Sequence, residues 1–113
     1  MKIEHGYLYL ADLNPRVGTE AGKVRPVLVL QSDLLNEIGH PSTWVLPCTT
    51  KLTGGNILRV VLPKNIAGNS QIFEVMIDQS KSIDNKRFSK KLEQISAQLL
   101  HEVKQKLKLL GDL

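Results

Sequence analysis

A tyrosine–leucine alternation opens the chain: Tyr7 to Leu13 is enriched in aromatic and aliphatic residues two apart, a pattern that predicts a half-buried β-strand. Pro26 to Gln31, reading PVLVLQ, is short, dense and valine-rich, which predicts a second strand with the proline at its start, where a missing N–H is tolerated. Ser32 can cap a short helical turn through Leu34 and Leu35 before Gly39, His40 and Pro41 interrupt it. Thr43 to Thr50 is a third predicted strand. Ile57 to Leu62 is a fourth, placed as its hairpin partner across the turn Thr53-Gly54-Gly55-Asn56. Gln71 to Ile77 supplies a fifth, and Gln79 to Ile83 its continuation, with Asp78 near the bend. The period changes at the end. From Ser96, a fitting N-cap, the residues Leu99, Leu100, Val103, Leu107 and Leu110 recur at helical steps until Gly111, and His101, Glu102, Gln105 and Lys108 fall outside that stripe. His101 is accordingly read as a solvated surface residue. Short strands followed by one amphipathic helix predict a mainly β fold with a C-terminal α-helix, a small, curved antiparallel barrel whose open side the helix covers.

Composition narrows the class. A chain of 113 residues, 42% apolar and 23% charged, has ordinary globular values, with no internal repeat, linker or low-complexity tract, so residues 1–113 read as a single domain. It contains no long uncharged run, which excludes a membrane-spanning helix, and its opening apolar run is too short for a signal peptide, so a cytoplasmic location is expected. The lone cysteine, Cys48, fits a reducing compartment. Basic and acidic residues balance over positions 1–80, so the whole net charge of +4 sits in the last third. A basic excess there is weak evidence for a polyanionic partner, because cations near a helix C-terminus also favour the helix dipole.

The chemistry expected of common enzymes is missing from the pattern. His5, His40 and His101 fall in three elements with no ligand spacing, and a single cysteine cannot complete a zinc site, so neither metal nor cofactor is expected. Gly18 and Gly22 do not open a helix, which excludes a phosphate-binding P-loop or dinucleotide fingerprint, and no serine occupies a nucleophile elbow. What stands out is the polar connection from Asn14 to Val24, longer than the roughly two to five residues that a hairpin needs. At its end Pro26 biases Arg25 toward an extended backbone, and the arginine fork is suited to a phosphate. On spacing alone, Arg25 paired with Glu20 or Glu37 at the surface explains the residue as well. Thr49, Thr50 and Lys51 end the third strand on a polar note, although threonine hydroxyls can equally satisfy edge backbone groups.

Four ordered motifs resolve the choice. Gly6 to Pro15, then Gly18-Thr19-Glu20 followed by Arg25-Pro26-Val27-Leu28-Val29, then Pro47-Cys48-Thr49-Thr50, then Asp78-Gln79-Ser80-Lys81-Ser82-Ile83 resemble, almost end to end, the MazF/PemK toxins of type II toxin–antitoxin systems. The resemblance implies an SH3-like barrel, a homodimer, and metal-independent cleavage of single-stranded RNA (mRNA interferase activity) through the ribose 2′-hydroxyl, leaving a 2′,3′-cyclic phosphate and a 5′-hydroxyl. Carried over by position, it makes Arg25 and Thr49 catalytic, sets Thr19 and Glu20 on a loop bordering the RNA and puts Gln79 close to the strand. Glu20 is also the nearest candidate base in sequence, and Lys23, Thr50, Lys51 and Asp78 are expected along the RNA. It also implies a cognate antitoxin that blocks the site with an acidic disordered segment, and operator DNA bound only through the antitoxin complex.

This chain departs from the family in places. Thr19 keeps the hydroxyl of the usual serine, and Ala21 replaces a common glutamine. Of the His, Arg and Asp set associated with the Kid/PemK branch only Asp78 is retained, which favours the arginine–threonine arrangement and leaves Asp78 a groove or structural residue. Trp44 is read as core or dimer-interface filler. Two other functions suit the same fold: a CcdB-like gyrase poison, disfavoured by the ending Gly111-Asp112-Leu113, and a catalytically inactive RNA-binding barrel.

Overall fold

The computed structural model describes residues 1–66 and 69–113. In chain order the elements are β1 (Tyr7–Asp12), β2 (Val24–Val29), α1 (Asp33–Glu37), β3 (Ser42–Thr49), β4 (Arg59–Leu62), β5 (Phe73–Met76), a 3-10 turn at Ile77–Gln79, β6 (Lys81–Asp84), a second 3-10 turn at Asn85–Arg87, β7 (Phe88–Gln94) and α2 (Ala97–Gly111). None of the described helices is long and apolar enough to cross a membrane.

The dense apolar runs of β1, β2 and β3 are explained by burial on both faces. Leu8, Leu28, Leu46 and Cys48 enter one core with Val60, Leu62, Val75, Ile77 and Val103. Their alternates Tyr9, Val27, Val29 and Val45 enter a second core with Ala11, Leu13, Ala21, Met76 and Ile83. A strand whose side chains alternate between two cores shows no polar face in its sequence.

Strand β3 also has partners on both edges. One edge pairs with β2, where Val45, Leu46 and Pro47 face Val29, Leu28 and Val27. The other pairs first with β6, from Ser42 opposite Asp84 to Val45 opposite Lys81, and then with β5, where Cys48 and Thr49 face Val75 and Glu74. Pro47 lies at the changeover between those two partners, a position at which a missing N–H forfeits no ladder bond. The turn Ile77–Gln79 carries the chain from β5 to β6, so the predicted continuation past Asp78 is present as a broken strand.

Two expectations need correction. The fourth strand is not the hairpin partner of the third: β4 pairs with β5, Arg59 opposite Met76 through Leu62 opposite Phe73, because both edges of β3 are already occupied. Nor does the sheet close into an SH3-like barrel. Its order is β4-β5-β3-β2-β1-β7 with β6 branching from β3, so β4 and β7 are ends, and no pairing joins them among the described residues. The terminal helix takes the place that closure would need. It packs on β4 and on the turn after β5, and Lys106 Nζ donates to the Arg59 carbonyl at 2.7 Å, giving the β4 segment a partner that is not a strand.

The helix is well specified locally. Ser96 adopts an extended conformation and its hydroxyl accepts from the Leu99 N–H at 3.2 Å, as an N-cap should. Val103 is fully buried, and Leu99, Leu100 and Leu107 pack around the same core. Gly6, at φ +80°, lies so close that an added Cβ would stand 3.3 Å from Leu100 Cδ2. The helix extends through Gly111, and the left-handed residue that ends it is Asp112.

One buried charge braces the β4–β5 pair and the loop before it. Glu74 is only 2% exposed, accepts from Thr53 Oγ1 at 2.9 Å and from the Thr53 N–H at 3.1 Å, and pairs with Arg59 Nη1 at 3.1 Å. Burial alone would raise its pKa, but the Thr53 hydrogen bonds and the Arg59 charge outweigh it and hold the carboxyl below its usual 4.5. A carboxyl depressed in the folded state contributes stability above its unfolded pKa, and that contribution is lost as pH falls through the folded value. Glu74→Gln should therefore lower the urea midpoint at neutral pH, with the gap to wild type closing as the pH is taken below about 4.5. Ser96→Ala should cost on the order of 1 kcal/mol in the same titration, with no such pH dependence.

Candidate functional site

The site forms where β3 ends. Past Thr49 the chain leaves the sheet, and the loop between β1 and β2 folds over the same region. That loop is held by its own polar groups: Leu13 N donates to the Lys23 carbonyl at 2.8 Å, Lys23 N to Asn14 Oδ1 at 2.9 Å, and Glu20 N to the Val17 carbonyl at 3.0 Å. Lys23 adopts φ +68°, the left-handed turn that returns the chain to β2. Gly22 is required by closeness, since a Cβ there would lie 2.7 Å from Arg16 Cβ. Leu13 and Ala21 bury their side chains in the second core and pin the loop at both ends.

Arg25 sits in β2 opposite Ala11. Its Nε donates to the Gly22 carbonyl at 2.6 Å and its Nη1 approaches the Cys48 carbonyl at 3.5 Å, so the guanidinium lies along the end of β3. Among the described residues it joins no ion pair, and neither Glu20 nor Glu37 is its partner. Glu20 pairs instead with Lys81, Oε2 to Nζ at 3.2 Å. Thr49 is 9% exposed, and its hydroxyl oxygen accepts from the Lys51 N–H at 3.1 Å.

A groove of about 330 Å³ is lined by Arg25 and Thr49 together, with Thr19, Glu20, Lys51 and Gln79 around them. A second hollow of about 250 Å³ continues past the same pair and takes in Lys23, Thr50 and Phe73. Of the residues singled out in the sequence, Arg25, Thr49, Glu20, Thr19, Lys51, Gln79, Lys23 and Thr50 therefore gather in one region. Asp78 does not: it is exposed and lines neither hollow. Trp44, 40% exposed on the opposite half of β3, is absent from both.

Two cations of the groove were missed, Arg16 and Arg59. Arg16 lies inside the polar loop already singled out, and its Nε donates to the Gly18 carbonyl at 3.2 Å. Arg59 carries no signal in sequence, because it enters through the β4–β5 pairing. Arg59 is neutralised by Glu74 and Glu20 by Lys81, so Arg16, Arg25 and Lys51 give the groove a cationic excess that favours an anionic ligand. The cations that line it come from the electrically balanced first two-thirds of the chain, and Lys81 of the last third reaches its rim through Glu20. Beneath it, burial pushes the Cys48 thiol up to about 12, against a smaller opposing pull from Arg25, so the sulfur stays protonated. Among the described residues no three His, Cys, Asp or Glu side chains are grouped to hold a metal ion.

The chain as a whole is similar to known proteins. Endoribonuclease EndoA of Bacillus subtilis (strain 168) is 29% identical over 110 residues, 96% of this chain and 94% of that one. The crystal structure of MazF (form I) from Deinococcus radiodurans, 29% identical, matches with a TM-score of 0.87 over 100% of this chain and 99% of its own. MazE–MazF (form II) from the same organism gives 0.80 at 27% identity, covering 100% and 98%. Over residues 4–111 the sequence matches the family described as PemK-like, MazF-like toxins of type II toxin–antitoxin systems, and the chain belongs to that family.

Proposed function

We propose that this chain is the toxin of a type II toxin–antitoxin pair and acts as an endoribonuclease that cuts single-stranded RNA through the ribose 2′-hydroxyl. The observation that carries the reading is the meeting of Arg25 and Thr49, from β2 and the end of β3, on one cationic groove. Family membership and the endoribonuclease relative support it.

The geometry suits that reaction. Attack of the 2′-oxygen on phosphorus breaks the bond to the 5′-oxygen, leaving a cyclic phosphate and a 5′-hydroxyl. Charge on the phosphoryl oxygens grows on the way, and donors fixed in advance stabilise it most. The Gly22 carbonyl anchors Arg25 through Nε and the Cys48 carbonyl lies beside Nη1, which leaves Nη2 for phosphate. Because the Thr49 oxygen accepts from Lys51 N, its hydroxyl hydrogen is free to point at a phosphate oxygen. Glu20, on the rim of the groove, takes the 2′-proton, while a guanidinium cannot serve as base. Thr19, Lys23, Thr50 and Lys51 flank the path of the strand. Asp78 is left a structural position.

The chain acts as a homodimer and is held inactive by a cognate antitoxin, whose acidic segment is drawn to the same cations; operator DNA is reached only through that complex. MazE–MazF assemblies among the similar structures support the partnership.

Purified protein incubated in EDTA with single-stranded RNA should yield cyclic-phosphate and 5′-hydroxyl ends and leave DNA of the same sequence intact. Arg25→Ala and Thr49→Ala should each slow cleavage by about 10²–10³-fold with the fold retained by circular dichroism. Glu20→Gln should lower the rate; an unaltered rate would reassign the base. Uncut RNA with arrested gyrase supercoiling would replace this reading by that of a poison, and bound but uncut RNA by that of an inactive binder.

A further inference from the structure

Gln79 ends the 3-10 turn between β5 and β6, two segments fixed on the same edge of β3. The turn is anchored by Ile77, fully buried, whose N–H donates to the Leu58 carbonyl at 3.0 Å. From this base the Gln79 carboxamide reaches the β1–β2 loop twice: Oε1 accepts from the Ala21 N–H at 3.2 Å, and Nε2 donates to the Thr19 carbonyl at 3.3 Å. Among the described residues, the only other side chains that bond to residues 17–22 from outside the loop are Lys81, on Glu20, and Arg25 itself. The residue after Ala21 is Gly22, whose carbonyl receives Arg25 Nε.

We infer that Gln79 is a positioning residue: its amide clips the loop backbone to the sheet and so fixes the Gly22 carbonyl that orients the Arg25 guanidinium. This rests on the nuclease reading and gives Gln79 a role distinct from direct contact with RNA. Both functions of the amide are used. A carboxylate could still accept from Ala21 but would turn a second acceptor toward the Thr19 carbonyl. Small displacements at a reacting centre are costly, so a clip that acts through the loop can still control the rate.

The test uses the full chain with Gln79→Ala and Gln79→Glu, and reads amide exchange by NMR in the absence of RNA beside single-turnover cleavage. In Gln79→Ala the Ala21 amide should exchange about tenfold faster. Cleavage at saturating RNA should fall about tenfold. Affinity for a strand carrying 2′-deoxyribose at the scissile position should stay within about twofold of wild type. Gln79→Glu should fall between the two. Added to Arg25→Lys, Gln79→Ala should slow cleavage less than it does alone, because the two changes act on one element. Unchanged Ala21 exchange, or a loss of affinity as large as the loss of rate, would overturn the inference. A wild-type chain that cuts no RNA would sink the nuclease reading instead, and Ala21 exchange would still decide whether the clip exists.

Discussion

Strand β3 is buried on both faces and hydrogen-bonded along both edges, and that double saturation dictates where everything else can go. No further strand can pair with it, so β4 is displaced to the outside of β5 and the sheet grows away from β3 until it ends at β4 and β7. The strand can release its chain only at its end, at Thr49, where side chains pass from core to solvent. The groove that holds Arg25 and Thr49 lies at the point where the central strand leaves the sheet.

The two walls of the groove are held by the same short segment. Glu74 in β5 fastens the loop after β3 through Thr53, and Gln79 at the close of the following turn fastens the loop between β1 and β2. The first fastening is a buried charge with several donors, the second a neutral amide at the surface. A buried carboxylate stripped of its donors is expensive, whereas an exposed neutral hydrogen bond contributes on the order of 1 kcal/mol. The walls therefore differ in how readily they can be moved, and the softer one holds Arg25.

Much of this was legible in the sequence, for reasons that can be assigned. Helix α2 was readable because its serine cap and the stripe Leu99, Leu100, Val103 and Leu107 agree, whereas Leu110 lies exposed and the helix runs through Gly111 to end at Asp112. The long polar loop and Arg25 were found because a connection of that length is unnecessary for a hairpin. Strand β7, FSKKLEQ, went unread because it is a charged edge strand with no fully buried residue, which leaves no apolar alternation to detect. The pairing of β4 and the open ends of the sheet are decided by competition for the edges of β3, a property of the assembled fold that no local spacing records. Arg59 was missed for that same reason. Pro26 was placed at the start of β2 but lies inside it, opposite Leu10 and before the point where β3 begins to pair, so its missing N–H costs little.

The carbonyl approached by Arg25 belongs to Cys48, a residue sealed completely within the core. A thiol with a pKa near 12 presents almost no thiolate to peroxides or disulfides at neutral pH, and its burial denies them access. The Cys48 thiol at the end of β3 is therefore shielded from oxidants; the sulfur that lines the groove itself is the thioether of Met76.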